Sequence, residues 1–265
     1  MSTSRAGLPA GVSTLSAALI EGDPVPATVL GVHAPALYLE VAGRVLPVLT
    51  SDAVPLATAL RLAVPSGRVD WGVAAGDVVT VGGRLVVLPG CDIAAVRTWR
   101  PARVSALGGS SGRPGSRLSP HLEAWSASGW LGDGIRAVLS GRGEGADLLL
   151  GRGQGLTPAG DDALAGILLV AHAVGGAERL AAAVRSRLGS TTAVSAALLD
   201  AAADGYATRD VVALVDAALT GDDATIARTL PAVLAIGHTS GADLVAGVAG
   251  ALHHFTHTTT GRSAA

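Results

Sequence analysis

Two segments eighty residues apart, ALAGILLVAHAV (163–174) and LVAGVAGALHHF (244–255), are apolar around nearly the whole circumference of a helix. A helix with no polar stripe has no face to give to water, so each must be buried. Gly166, Gly247 and Gly250 remove side chains from these helices and permit close backbone approach. The expected arrangement is a pair of central helices packed on each other, with the remaining helical sequence around them.

What precedes each segment is also shared. The first follows Gly153-x-Gly155-Leu156-Thr157-Pro158-x-Gly160-Asp161-Asp162, and the second follows Gly237-His238-Thr239-Ser240-Gly241-x-Asp243. With one residue of slippage, Thr157 matches Thr239, Asp162 matches Asp243 and Gly166 matches Gly247, so one supersecondary unit occurs twice. In each, a Thr is available to cap the helix, and the macrodipole with its free amides makes that end attractive to anions. Acidic residues in a first turn often only complement the dipole, for about 0.3–1 kcal/mol each. The repetition, the glycine-rich approach and the wholly apolar helices argue for more, because a carboxylate buried there without a partner is costly. Parallel packing brings the two turns into one pocket, whereas antiparallel packing sends them to opposite ends.

Composition narrows the chemistry. Hydrophobic residues make up 49% of the 265 and charged residues 15%, with a net charge of −2, so neither a disordered chain nor a basic nucleic-acid coat is expected. All 19 positive residues are Arg, and the absence of Lys excludes a lysine nucleophile, a Schiff base or a P-loop lysine. Anion contacts must come from Arg or from backbone N–H groups. Cys91 stands alone, which excludes an intramolecular disulfide and fits a reducing cytoplasm. No run reaches the roughly 18 apolar residues of a membrane span, and the N-terminal apolar stretch is too interrupted for a signal-peptide core. A cytoplasmic protein with no nucleic-acid or membrane partner is expected.

The fold class expected is α+β. Short alternating segments from Pro26 to about Pro89 predict a small antiparallel, barrel-like sheet, with hairpins at Ala42-Gly43 and Gly82-Gly83 and a helix at LATALRLA (56–63). Residues 1–105 form this β-rich domain, and the Gly/Ser/Pro-rich stretch 106–120 is a linker. A helical domain, 121–256, carries the site, and 257–265 is a flexible tail. Helices are expected near 119–140, 159–174, 177–188, 192–204, 208–219, 222–235 and 241–256, with breakers at Gly175-Gly176, Gly189, Gly205, Gly221 and Gly237. No strand alternation is seen among them.

His238 inside the second turn suits general acid–base work or an oxyanion contact, or merely a helix cap. Thr191, Thr192 and Ser195 share one helix start, where hydroxyls usually cap and less often touch a ligand. Arg152, close to the first turn, suits a phosphate clamp, although a surface Arg is the commoner explanation. Gly151-x-Gly153-x-Gly155 fails as a dinucleotide loop, because the third spacing is wrong, Pro158 follows and no βαβ unit surrounds it. His253, His254 and His257 include an i, i+4 pair of zinc-ligand spacing, but they close the last helix, where the dipole favours cations.

Together Gly153 to Gly166, then Thr191-Thr192-x-x-Ser195 with Gly205, then Gly237 to Asp243 with Gly247, resemble a bacterial family whose characterised member is a subunit of oxamate carbamoyltransferase, in anaerobic allantoin degradation. The resemblance is strong over about 150–250 and weaker over 70–105, where GDVVTVGG and Trp99-Arg100-Pro101 fit. It implies phosphorolysis of oxalurate to oxamate and carbamoyl phosphate, by a chain that works with other subunits in purine catabolism. The residues are compatible with that chemistry. Phosphate and the oxalurate carboxylate need donors, which the turns around Gly153, Gly155, Thr157, Gly160 and Asp161, and around Thr239, Ser240 and Gly241, offer; the carbamoyl NH2 needs acceptors, which Asp162 and Asp243 are. Asp161 and Asp162 are equally suited to hold a Mg2+ that bridges phosphate oxygens, and the sequence does not choose. The competing reading is a noncatalytic subunit that binds a phosphate or acyl-phosphate metabolite and regulates or scaffolds a partner enzyme; a third is a purely structural subunit.

Overall fold

The computed structural model describes residues 7–107, 118–141 and 145–258. The chain divides into two compact units, Met1–Pro101 and Ala102–Ala265.

The first unit is a closed barrel of eight strands: β1 (Leu8–Ser13), β2 (Val25–His33), β3 (Ala36–Val41), β4 (Arg44–Leu49), β5 (Leu60–Leu62), β6 (Val78–Gly82), β7 (Leu85–Val87) and β8 (Asp92–Trp99), with helix α1 (Ala17–Glu21) after the first. Around the barrel they run β1-β5-β4-β3-β2-β6-β7-β8, and β8 returns to β1. The pairs β1–β8 and β4–β5 are parallel, a departure from the all-antiparallel sheet expected. Closure leaves no unpaired edge. Inward-facing Val12, Val29, Leu39, Val48, Val81 and Ile93 fill the interior, each within 1% of complete burial.

Local turn chemistry explains where this unit follows the pattern and where it departs. Ala42-Gly43 forms the two-residue β3–β4 turn as expected, both residues at positive φ. The β6–β7 turn is one residue later than expected. Gly82 pairs with Leu85, so Gly83-Arg84 is the loop, and Arg84 keeps its left-handed φ of 67° with its Nε on the Ala95 carbonyl at 2.9 Å and its guanidinium on Glu21 at 2.6 Å. The stretch 56–63 is not a helix. Leu60 and Leu62 point into the barrel and Arg61 outward, so a three-residue strand hides in an alanine-rich run whose spacing mimics a helix.

The second unit contains α2 (Pro120–Glu123), α3 (Gly129–Leu139), α4 (Ala159–Ala173), α5 (Glu178–Arg185), α6 (Ala193–Ala203), α7 (Arg209–Thr220), α8 (Asp223–Leu234) and α9 (Ser240–Thr258). It also holds a two-stranded sheet, β9 (Ala102–Arg103) with β10 (Tyr206–Ala207), too short to show alternation in the sequence. The helix expected at 119–140 is two helices, because Gly129 takes a φ of +60° and interrupts the path. Of the linker expected at 106–120, residues 108–117 lie outside the described residues, as do residues 259–265 of the expected tail.

α4 is the centre of this unit, buried continuously from Gly160 to Ala171. It packs against α9, α6 and α3. The α4–α9 contact is reciprocal: a Cβ on Gly166 would run into the Leu244 carbonyl, and a Cβ on Gly247 would run into the Ala163 carbonyl. Leu244 and Gly247 stand 81 positions after Ala163 and Gly166, so the repeat read in the sequence recurs as a reciprocal contact in space, and the hydroxyl contact between Thr157 and Ser240 at the two starts means that the helices run in the same direction. Both helix starts therefore lie at one end.

Candidate functional site

The two starts touch through their hydroxyls. Thr157 Oγ1 and Ser240 Oγ are 2.9 Å apart and hydrogen bonded, so Thr157 is spent across the seam, and α4 begins at Pro158 without a side-chain cap. Each start is pressed onto a carbonyl by a glycine in its first turn: a Cβ at Gly160 would collide with the Leu149 oxygen, and one at Gly241 with the Val233 oxygen. Not all first-turn amides remain free. Those of Gly160, Asp161 and Asp162 donate to the Arg152 and Pro158 carbonyls, while that of Ala159 has no acceptor among the described residues.

The adjacent aspartates differ completely. Asp161 is buried, and both of its oxygens are taken: Oδ1 accepts from the Gly151 N–H at 2.7 Å and Oδ2 from the Thr191 hydroxyl. Thr192 caps α6 by accepting from the Ser195 N–H at 3.0 Å, and its hydroxyl donates to the Leu156 carbonyl at 2.5 Å. Thr191 and Thr192 therefore hold the glycine-rich loop against the start of α6. Gly153 and Gly155 lie in that loop, both exposed and at positive φ.

Asp162, one position on, faces the seam. It is 9% exposed, and its Oδ2 is buried with no hydrogen-bond partner among the described residues. Burial pushes its carboxyl up to about 8; the Ser240 and Thr157 hydroxyls oppose that, and the negative charges of Asp243 and Asp161 add to it. Asp243, the repeat mate, is half-buried, with its own Oδ2 buried and unpartnered, and burial raises its carboxyl as well, against the Thr239 hydroxyl. Ser195, on the α6 helix that packs against α4, also has a buried hydroxyl with no hydrogen-bond partner among the described residues.

The structure thus brings together Asp162, Asp243, Thr157 and Ser240, with Thr239 beside Asp243. His238 stands exposed in the turn before α9. The Asp161–Thr191 and Thr192–Leu156 contacts form an adjoining brace, whose residues the sequence alone does not separate from those at the seam. Among the described residues, no group of three or more His, Cys, Asp or Glu side chains is arranged to hold a metal ion. Both Asp161 oxygens already accept one hydrogen bond each within the protein. No helix among the described residues is long and apolar enough to cross a membrane.

Residues 149–252 match the family model described as oxamate carbamoyltransferase subunit AllH, which supports the resemblance drawn from the motifs. The matched span holds the glycine-rich loop, both turns, all of α4, and α9 as far as Leu252. No solved structure matches the chain.

Proposed function

With oxamate carbamoyltransferase subunits as the family that residues 149–252 match, we propose that this chain is the subunit of a cytoplasmic multi-subunit carbamoyltransferase in which the α4–α9 seam holds the carbamoyl group. The observation that carries the reading is the pair of buried, unpartnered carboxyl oxygens on Asp162 and Asp243 at the meeting of two helix starts. A carbamoyl edge offers one acceptor, its carbonyl, and one donor, its NH2. Asp162 stays largely protonated at neutral pH and supplies the O–H, and Asp243 supplies the acceptor.

The reaction that fits is attack of a phosphate oxygen on the carbamoyl carbon of oxalurate, with cleavage of the bond to the oxamate nitrogen. In this reading the leaving nitrogen takes its proton from the Asp162 carboxyl, the attacking phosphate's hydroxyl proton restores that carboxyl, and carbamoyl phosphate and oxamate result. The helix starts favour the negative charge that gathers on the phosphate and on the carbonyl oxygen. Asp161, Thr191 and Thr192 act by holding the loop.

The test is formation of carbamoyl phosphate from oxalurate and inorganic phosphate, by the purified chain and then by the chain with its candidate partner subunits. Product formation that drops about a hundredfold or more in Asp162→Asn supports the reading. Turnover that Asp162→Asn and Asp243→Asn leave unchanged removes the seam from the chemistry and favours a metabolite-binding or scaffolding subunit.

A further inference from the structure

Three carboxylates crowd this site, yet the helices that build it bring no Arg: α4, α6 and α9 contain none, and the chain has no Lys. Arg187, just before the α6 start, is committed to Asp147 at 2.8 Å. Arg136 of α3 is committed to Asp133. Near the α4 start, among the described residues, Arg152 makes no ion pair, and His238 stands exposed in the turn before α9.

Arg152 is held by its backbone against the first turn of α4. Its N–H donates to the Leu149 carbonyl at 3.0 Å, and its carbonyl accepts from the Gly160 N–H at 2.9 Å. Its side chain makes no ion pair among the described residues; the guanidinium carbon lies 4.9 Å from the ring centroid of Trp130, itself 40% exposed at the start of α3. Stacking of this kind at an exposed position is weak, so the guanidinium leaves it readily for an oxyanion that it can grip with two parallel hydrogen bonds. The neighbouring residue matters too. A Cβ at Gly153 would stand 2.6 Å from the Ala159 nitrogen, so glycine at that position leaves uncovered the α4 amide that lacks an acceptor. In the same helical turn, the nine-tenths-buried Asp162 presents its unpartnered oxygen.

We propose that Arg152 and the Ala159 amide form the subsite for the anionic end of the ligand, a phosphate or carboxylate group, with Trp130 as the resting place of the guanidinium when the subsite is empty. This rests on the reading that the Asp162–Asp243 pair receives the carbamoyl end, and it assigns the other end of the same molecule. The bound oxyanion sits between guanidinium and helix start, both of which attract it, and the planar fork of Arg makes Lys an imperfect replacement.

The experiment is calorimetric titration of the full chain, alone or in its complex, with inorganic phosphate, oxamate and carbamoyl phosphate. Arg152→Gln is expected to weaken phosphate and oxamate about tenfold or more and to flatten the salt dependence of binding, Arg152→Lys to weaken them less, and Trp130→Ala to change them only a few-fold. Asp243→Asn is expected to weaken carbamoyl phosphate and to leave inorganic phosphate unchanged. Arg152→Gln binding both simple anions like the native chain overturns the subsite while leaving the carbamoyl reading intact. Loss of anion binding in Arg152→Gln, with carbamoyl phosphate indifferent to Asp243→Asn, keeps the subsite and overturns the carbamoyl reading. A native chain that binds none of the three overturns both.

Discussion

The starts of α4 and α9 share a backbone plan and differ in everything attached to it. Both press a glycine onto a carbonyl, and both place an aspartate at the same step of the repeat. The α4 start is braced: a second aspartate ties its glycine-rich approach to α6, and Asp162 is nine-tenths buried. The α9 start is open, with His238 and Thr239 exposed and Asp243 half-buried. The difference teaches that a repeated backbone delivers two like groups to one place, while unequal burial gives them unlike proton affinities. Burial raises both carboxyls, and it pushes Asp162, the more deeply buried of the two, up to about 8.

The shared backbone is broken most severely at the reciprocal contact. Gly247→Ala and Gly166→Ala are each expected to destabilise the helical unit by about 3 kcal/mol or more, because the new methyl group meets a carbonyl rather than a yielding side chain. Chemical denaturation of both variants checks this, and comparable losses at the two positions mark the contact as symmetric; a large loss at one alone breaks the symmetry.

Next in size is the brace that only α4 possesses. Asp161→Asn removes a charged acceptor from two donors and turns an NH2 toward one of them, which is expected to cost about 2–3 kcal/mol. The same measurement on Thr239→Ala, at the open start, is expected to move stability far less.

The third prediction sharpens the contrast in proton affinity. In the unfolded chain the Asp162 carboxyl loses its proton near 3.8, whereas in the folded protein it keeps it to about 8. The folded state therefore binds more protons between those values, and its stability falls as pH rises through them, by up to about 1.4 kcal/mol per pH unit. Asp162→Asn is expected to flatten this slope over the same range. Equal slopes in the native and variant proteins are incompatible with a buried, protonated Asp162.

The smallest effect belongs to the bridge between the two starts. A double-mutant cycle with Thr157→Val and Ser240→Ala is expected to give a coupling of about 1 kcal/mol. Additive losses mean that the hydroxyls do not act together.

Much of this was legible in the residues themselves. Apolar residues at every angle of a helix leave burial as the only option, and seven helix positions marked out by glycine breakers appear within a few residues of where they were expected, although the first of them is split in two. The barrel was legible as alternating segments but not as a closed sheet, since β1 pairs with β8 across more than eighty residues of chain and periodicity carries no information about a partner.

The sequence by itself determined that two small-residue helices are central and that each opens on a Thr and an Asp, because composition and 3.6-residue spacing are local properties. Only the tertiary structure decided that the helices run in parallel, that Asp161 turns to the brace while Asp162 turns to the seam, and that Arg152 stands beside them. Neighbouring residues on a helix point about 100° apart, so which carboxylate is spent and which is left unpartnered depends on what packs around the helix rather than on the order of the letters.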